Sequence, residues 1–138
     1  MAHLATCDTS LKPHVIPICF VLHDDVLYSS IDEKPKRIRA PTALRRVVNI
    51  KANPNVCVVI DQYEEDWRKL RFIIIHGKAK LVRTGEEHRL GIIELRRKYP
   101  QYRSMNLDSR PIIKIVPRRT VSWRSDKKTE SAERSSKA

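Results

Sequence analysis

Glycine is scarce in this chain, three residues in 138, and none belongs to a Gly-x-Gly-x-x-Gly arrangement, which argues against a dinucleotide site of the Rossmann type. Cysteine is as scarce: Cys7, Cys19 and Cys57 are odd in number, show no Cys-x-x-Cys spacing and lie in or beside apolar segments. Neither a disulfide framework nor a metal site follows, and the three read as reduced thiols that pack as small hydrophobes. His14, His76 and His88 lack His-x-His or His-Glu-x-x-His spacing, so no metal ligation is expected. Hydrophobic residues form 41% of the chain but come in short runs, none near the ~18 residues of a membrane span. Met1 to Thr6 lack the basic start and long apolar stretch of a secretory signal, and a cytoplasmic protein is expected.

Positive charge is abundant. Lys and Arg number 28 against 16 Asp and Glu, a net +12, which calls for a phosphate-rich partner, either nucleic acid or a small anionic cofactor. The placement of the charge is uneven. From Lys34 to Lys51 there are seven basic residues and no acidic one, the densest field in the chain.

The pattern along the chain is mostly that of short strands. His3 to Cys7 is a strand, Asp8-Thr9-Ser10 a turn, and His14 to His23 a second strand whose Pro17 marks an edge or irregular position. Asp24-Asp25 turns it into Val26 to Ile31, a hairpin. Leu44, Val47, Val48 and Lys51 recur at helical spacing between Pro41 and Asn53-Pro54, so a short helix is expected there with Arg45 and Arg46 at its middle, one facing the sheet and one solvent. Val56 to Ile60 and Phe72 to Val82 are strands flanking a charged loop, Asp61 to Leu70, whose carboxylates Asp61, Glu64, Glu65 and Asp66 read as solvated. Thr84-Gly85-Glu86-Glu87 forms a capping box before a helix from about Gly85 to Tyr99, with Ile92, Leu95 and Tyr99 on one face. Pro111 to Val116 and Thr120 to Arg124 are two more strands. Residues 125–138 carry no apolar periodicity and read as a disordered basic tail after one domain over 1–124. This succession of short strands with two or three helices is expected to form a mainly β, antiparallel barrel.

In order and spacing, Leu4-Ala5-Thr6, Pro13 to Pro17, Asp32-Glu33-Lys34-Pro35-Lys36, Ala52-Asn53-Pro54, Val58 to Asp61, Tyr63, Asp66-Trp67, Gly77-Lys78-Ala79, Tyr99 to Tyr102 and Trp123-Arg124 resemble one family. It is the pyridoxamine 5'-phosphate oxidase-like split β-barrel group, and within it the coenzyme F420-dependent branch. The resemblance spans about Ala2 to Arg124. It implies a split barrel of the FMN-binding kind, a homodimer with two cofactor clefts at the subunit interface, and F420, or alternatively FMN, as the cofactor. The cofactor carries hydride chemistry and the protein supplies binding and orientation. By the same resemblance Lys34, Lys36, Arg45 and Arg46 hold the cofactor phosphate, and Val15, Ile16, Pro17 and Ser29 lie along the ring system. Arg forks and Lys point charges suit that phosphate. Trp67 reads as a loop anchor, a dimer contact or a ring-stacking residue, and Trp123 as a neighbour of the partner's cofactor or as packing. No catalytic acid, base or nucleophile is identified.

Three functions are therefore expected in descending order: an F420- or FMN-dependent oxidoreductase acting on an organic substrate; a carrier or sensor that binds flavin, F420 or haem without turnover; and a nucleic-acid-binding barrel. The last is weakest because Lys34 to Lys51 contains no aromatic to stack on bases.

Overall fold

The computed structural model describes residues 1–31 and 44–125, and the backbone of 127–133. The strands are β1 (Ala2–Cys7), β2 (Pro13–Ile18), β3 (Val21–His23), β4 (Val26–Ser30), β5 (Asn55–Gln62), β6 (Arg71–Val82), β7 (Ile112–Arg124) and β8 (Lys127–Glu133). The helices are α1 (Arg45–Ala52) and α2 (Glu86–Lys98), with short 3-10 turns at Trp67–Lys69 and Pro100–Ser104. All ladders are antiparallel, in the order β2-β1-β5-β6-β7-β4-β3, with β8 added along β7.

That order forces curvature. β2 and β3 stand at opposite ends of the seven-strand path, yet only Cys19 and Phe20 separate them in sequence. Seven strands laid flat would put those edges roughly 29 Å apart, whereas the connection spans at most about 10 Å. The sheet must roll until its edges nearly meet, joined by the chain instead of by a ladder, and this is the split barrel expected from the sequence.

His14 to His23, read as one strand, is divided at this crossover. The main chain of Phe20 leaves the ladder and is satisfied by α2: its N–H donates to Tyr99 Oη (3.0 Å), and its carbonyl accepts from Tyr99 Oη (2.9 Å) and Lys98 Nζ (2.7 Å). The Asp24-Asp25 hairpin forms as expected, with both residues at positive φ (49° and 62°), the two-residue type I′ geometry that matches strand twist. Leu11 also holds a positive φ of 61°, in the turn where Asp8 Oδ1 accepts from the N–H groups of Ser10 and Lys12.

The barrel interior is filled by Leu4, Leu27, Val58, Ile75, Ile113 and Ile115, closed at one end by Ile50 of α1. A second cluster, including Val21, Tyr28, Val82, Ile92, Leu95 and Ile112, lies between α2 and the outer surface of β3, β4 and the start of β7. Ile92 and Leu95 are buried and Tyr99 half-buried, as their spacing predicts.

Four boundaries differ from the sequence reading. Among the described residues α1 begins at Arg45, with extended Leu44 before it, so Arg45 and Arg46 occupy the first turn and not the middle of the helix; Pro41 lies outside the described residues. α2 is preceded by Gly85 at φ 93° with no side-chain cap, because glycine's left-handed backbone starts the helix one residue past Thr84 and Glu87 is engaged elsewhere. The two strands expected on either side of Pro117 are one strand: a bulge opposite His76 and Gly77 absorbs the extra residue and the proline's missing N–H. Finally, Lys127–Glu133 of the expected tail pairs with β7 from Arg119 to Arg124. Main-chain ladder bonds need no apolar side chain, so a polar segment beside a free edge can still form a strand.

Candidate functional site

Side chains alternate across a strand, so the register defines which residues share a face. On the outer surface one cross-strand row runs Val15, Ala5, Cys57, His76, Arg119, and the next runs Pro17, His3, Val59, Ile74, Val121. A third contains Asp61, Phe72 and Trp123, where the Phe72 and Trp123 rings stack with centroids 5.6 Å apart. α2 covers the outer surface over β3, β4, the start of β7 and Val82 at the end of β6. Over β2, β1, β5, the rest of β6 and the second half of β7 no described helix covers it, and Val15 is left 63% exposed. The result is an outer face five strands wide, apolar at Val15, Pro17, Val59, Ile74 and Val121 and interrupted by His3, His76 and Arg119.

α1 lies at the end of the barrel. Arg45 points to solvent and Arg46 is buried, the split expected from helical spacing, with Val47 and Ile50 beside Arg46 on the inner side. Asn49 donates from Nδ2 to Thr6 Oγ1 of β1 at 3.0 Å, both residues being buried, which ties the helix to the barrel wall. The first turn of α1 holds no acidic residue. Two guanidinium-bearing residues at the positive end of a helix dipole favour a negative partner there.

A cleft of about 430 Å³ opens on another side, between α2 and the β3-β4 hairpin, lined by residues including Val26, Leu90 and Ile93. At its base Tyr28 Oη donates to Glu87 Oε2 (2.8 Å), which also pairs with Lys114 Nζ (2.6 Å). Lys114, with Tyr28, holds the Glu87 carboxyl below the usual range; burial and the Glu87 contact push the Tyr28 phenol up. A carboxylate with a depressed pKa stabilises the fold above its unfolded pKa, and that contribution fades as pH falls through the folded value. Glu87→Gln is therefore expected to lower the urea midpoint at pH 7 and to show a shallower loss between pH 5 and 3 than the parent protein. Parallel acid limbs in the two proteins would contradict this.

The residues singled out in the sequence do not form one cluster within the chain. Val15 and Pro17 lie on the outer face at the β2 edge, and Trp123 lies on the same face, four strands away on β7. Ile16 points to the other side and packs against the barrel interior, because three consecutive strand residues cannot share a face. Ser29 is buried and its hydroxyl donates to the Cys19 carbonyl (2.7 Å), so it secures the β2-β3 crossover. Trp67 stands 72% exposed on its 3-10 turn, not packed as an anchor within the chain. Arg45 and Arg46 open α1. Lys34 and Lys36 lie outside the described residues. Sequence reasoning missed the Tyr28, Glu87, Lys114 network, whose partners come from three distant segments.

The sequence profile of the pyridoxamine 5'-phosphate oxidase family matches residues 1–124. Among curated proteins none matches the chain in sequence. Solved structures resemble it in fold. A conserved hypothetical protein of Mycobacterium tuberculosis superposes with a TM-score of 0.69 at 22% identity, covering 89% of this chain and 76% of that one. HutZ, the haem storage protein of Vibrio cholerae, does so with 0.68 at 18%, covering 84% and 80%. General Stress Protein 26 of Bacillus anthracis gives 0.64 at 22%, covering 96% and 87%.

Proposed function

The chain belongs to the pyridoxamine 5'-phosphate oxidase family, and we propose that it is a cofactor-binding split barrel in which two copies meet across the uncovered outer face and hold a planar, anionic cofactor along the seam. The observation that carries this reading is the five-strand outer face itself, which presents Val15, Pro17, Val59, Ile74 and Val121 and which no described helix covers. A strand surface bearing Val15 and Pro17 suits the edge of a ring system, and the acid-free start of α1 suits a negatively charged tail. In that arrangement Trp123 of one protomer reaches the neighbourhood of the other's ring, which a single chain does not allow.

Two ligand classes are supported by different findings. The family match supports a phosphorylated flavin-type cofactor, FMN or F420, and with it an oxidoreductase; such a cofactor supplies hydride transfer when bound, while the chain's own residues bind and orient it. The fold shared with a haem storage protein supports the other reading, a carrier that holds haem or flavin without turnover. Binding is common to both and is the part of the proposal supported by more findings.

Titration of the purified protein with FMN, F420 and haemin, followed by ligand fluorescence and absorbance, tests it. Saturable binding of one of the three is expected. For FMN or F420, Arg45→Ala and Lys36→Ala should each weaken binding roughly ten- to a hundredfold, the loss of one charge-assisted hydrogen bond. Arg46, being buried, is a poor probe, because its replacement also disturbs packing. Failure of all three ligands to bind would overturn the reading, and salt-sensitive binding of nonspecific DNA alone would favour the nucleic-acid function.

A further inference from the structure

On the inner surface of the sheet, beyond the apolar interior, one cross-strand row runs Gln62, Arg71, Arg124 on β5, β6 and β7. Two arginines directly opposite one another on the same face repel, and a sheet ordinarily places opposite charges at such a pair. The cations nearby are already matched: Arg68 pairs with Asp66 (3.0 Å) and Lys69 lies 3.8 Å from Glu64. Arg71 and Arg124 have no carboxylate partner among the described residues.

Both residues are exposed, yet the Arg71 side chain and the main chain beside Arg124 are held in place. Arg71 Nε donates to Gln62 Oε1 (2.8 Å), and Gln62 Nε2 donates in turn to Glu64 Oε1 (2.5 Å), which fixes the plane of the guanidinium and leaves its terminal nitrogens unused by that relay. On the other side, Ser125 N–H donates to the Leu70 carbonyl (3.1 Å) and Ser125 Oγ to the Arg68 carbonyl (2.7 Å), which anchors the chain beside Arg124. Gln62, Arg68, Lys69, Leu70, Arg71 and Arg124 enclose an open basin of about 260 Å³ with mostly polar walls.

We infer that this basin is an anion site, separate from the start of α1, that takes a small ligand with two or more adjacent anionic groups, a diphosphate or an oligocarboxylate, between the Arg71 and Arg124 guanidiniums. Opposed arginines on fixed strands are costly without an anion and match a bridging phosphate or carboxylate bidentately. The site does not depend on which cofactor the outer face binds.

Isothermal titration of inorganic pyrophosphate and of citrate into the full chain at low salt tests this. One saturable site per chain is expected for at least one of the probes, weakened about tenfold or more in both Arg71→Gln and Arg124→Gln, since each removes a charge-assisted contact. Arg97→Gln, on the far side of α2, should leave binding unchanged, and without anion the two basin variants should melt at or above the parent. No saturable binding would overturn the inference. So would binding lost equally in Arg97→Gln, which would mark a response to net charge, or lost in Arg45→Ala but kept in Arg71→Gln, which would place the anion at α1. Duplex DNA binding without either small anion would assign the arginines to a polymer and overturn it as well.

Discussion

Gly77→Ala is expected to be the most damaging single-methyl change in the chain, lowering stability by about 2–3 kcal/mol and the melting temperature by roughly 10 °C. A Cβ at Gly77 would stand 2.6 Å from the Val116 carbonyl oxygen and 3.2 Å from Ile115 Cγ2. The obstacle at Val116 is backbone, and β7 there is paired with β6 beside the bulge that bends both strands. Making room means moving a strand whose first half is also bonded to β4, so the strain cannot be relieved by a rotamer change. Gly91 offers the contrast. Its added Cβ would meet Ile112 Cδ1 at 2.5 Å, the mobile end of a side chain, and alanine favours the helix by about 1 kcal/mol. Thermal melts of both variants check the comparison. A Gly77→Ala protein as stable as Gly91→Ala would show that the bulge is plastic.

On the proposed pairing of two copies across the outer face, Ile74→Asp is expected to convert the dimer to a monomer and to abolish cofactor binding while leaving the chain folded. Ile74 lies on the outer face between Val59 on β5 and Val121 on β7, and is half-buried in the single chain. A carboxylate there can stay hydrated in the monomer but must be desolvated, unpaired, when two such faces close. That penalty, about 3 kcal/mol or more, corresponds to a loss of over a hundredfold in association. Light scattering should report a halved mass, circular dichroism an unchanged fold, and ligand titration no saturation. A parent protein that is monomeric and still binds its cofactor would remove the interface from the proposal. An Ile74→Asp protein that remains dimeric would move it to another surface.

The sequence was informative where the deciding interactions are local. Asp24-Asp25 makes its turn through the backbone preferences of those two residues, and Pro17 stands on an edge strand because proline has no N–H to give a ladder. Ile92, Leu95 and Tyr99 share a helix face because 3.6 residues make a turn. Element ends were less legible. Thr84 meets the composition of an N-cap, yet Gly85 takes the position because Glu87, the other half of the capping box, is drawn across to Tyr28 and Lys114. Nothing between residues 84 and 87 encodes that competition.

Amino-acid order by itself determined the alternation of strand and helix, the charge field from Lys34 to Lys51, the family and, through it, the split barrel, because each depends on propensities and spacings within a few residues or on the succession of motifs along the chain. Tertiary structure alone decided what stands beside what. Cross-strand partners are tens of residues apart and a shift of one position would reverse every face, so neither the outer row from Pro17 to Val121 nor the opposition of Arg71 and Arg124 could be seen before the register was known. The same register placed Ile16 in the interior and joined Lys127–Glu133 to the sheet, since ladder bonds answer to the main chain and to a neighbouring edge, not to the side chains by which a sequence is read.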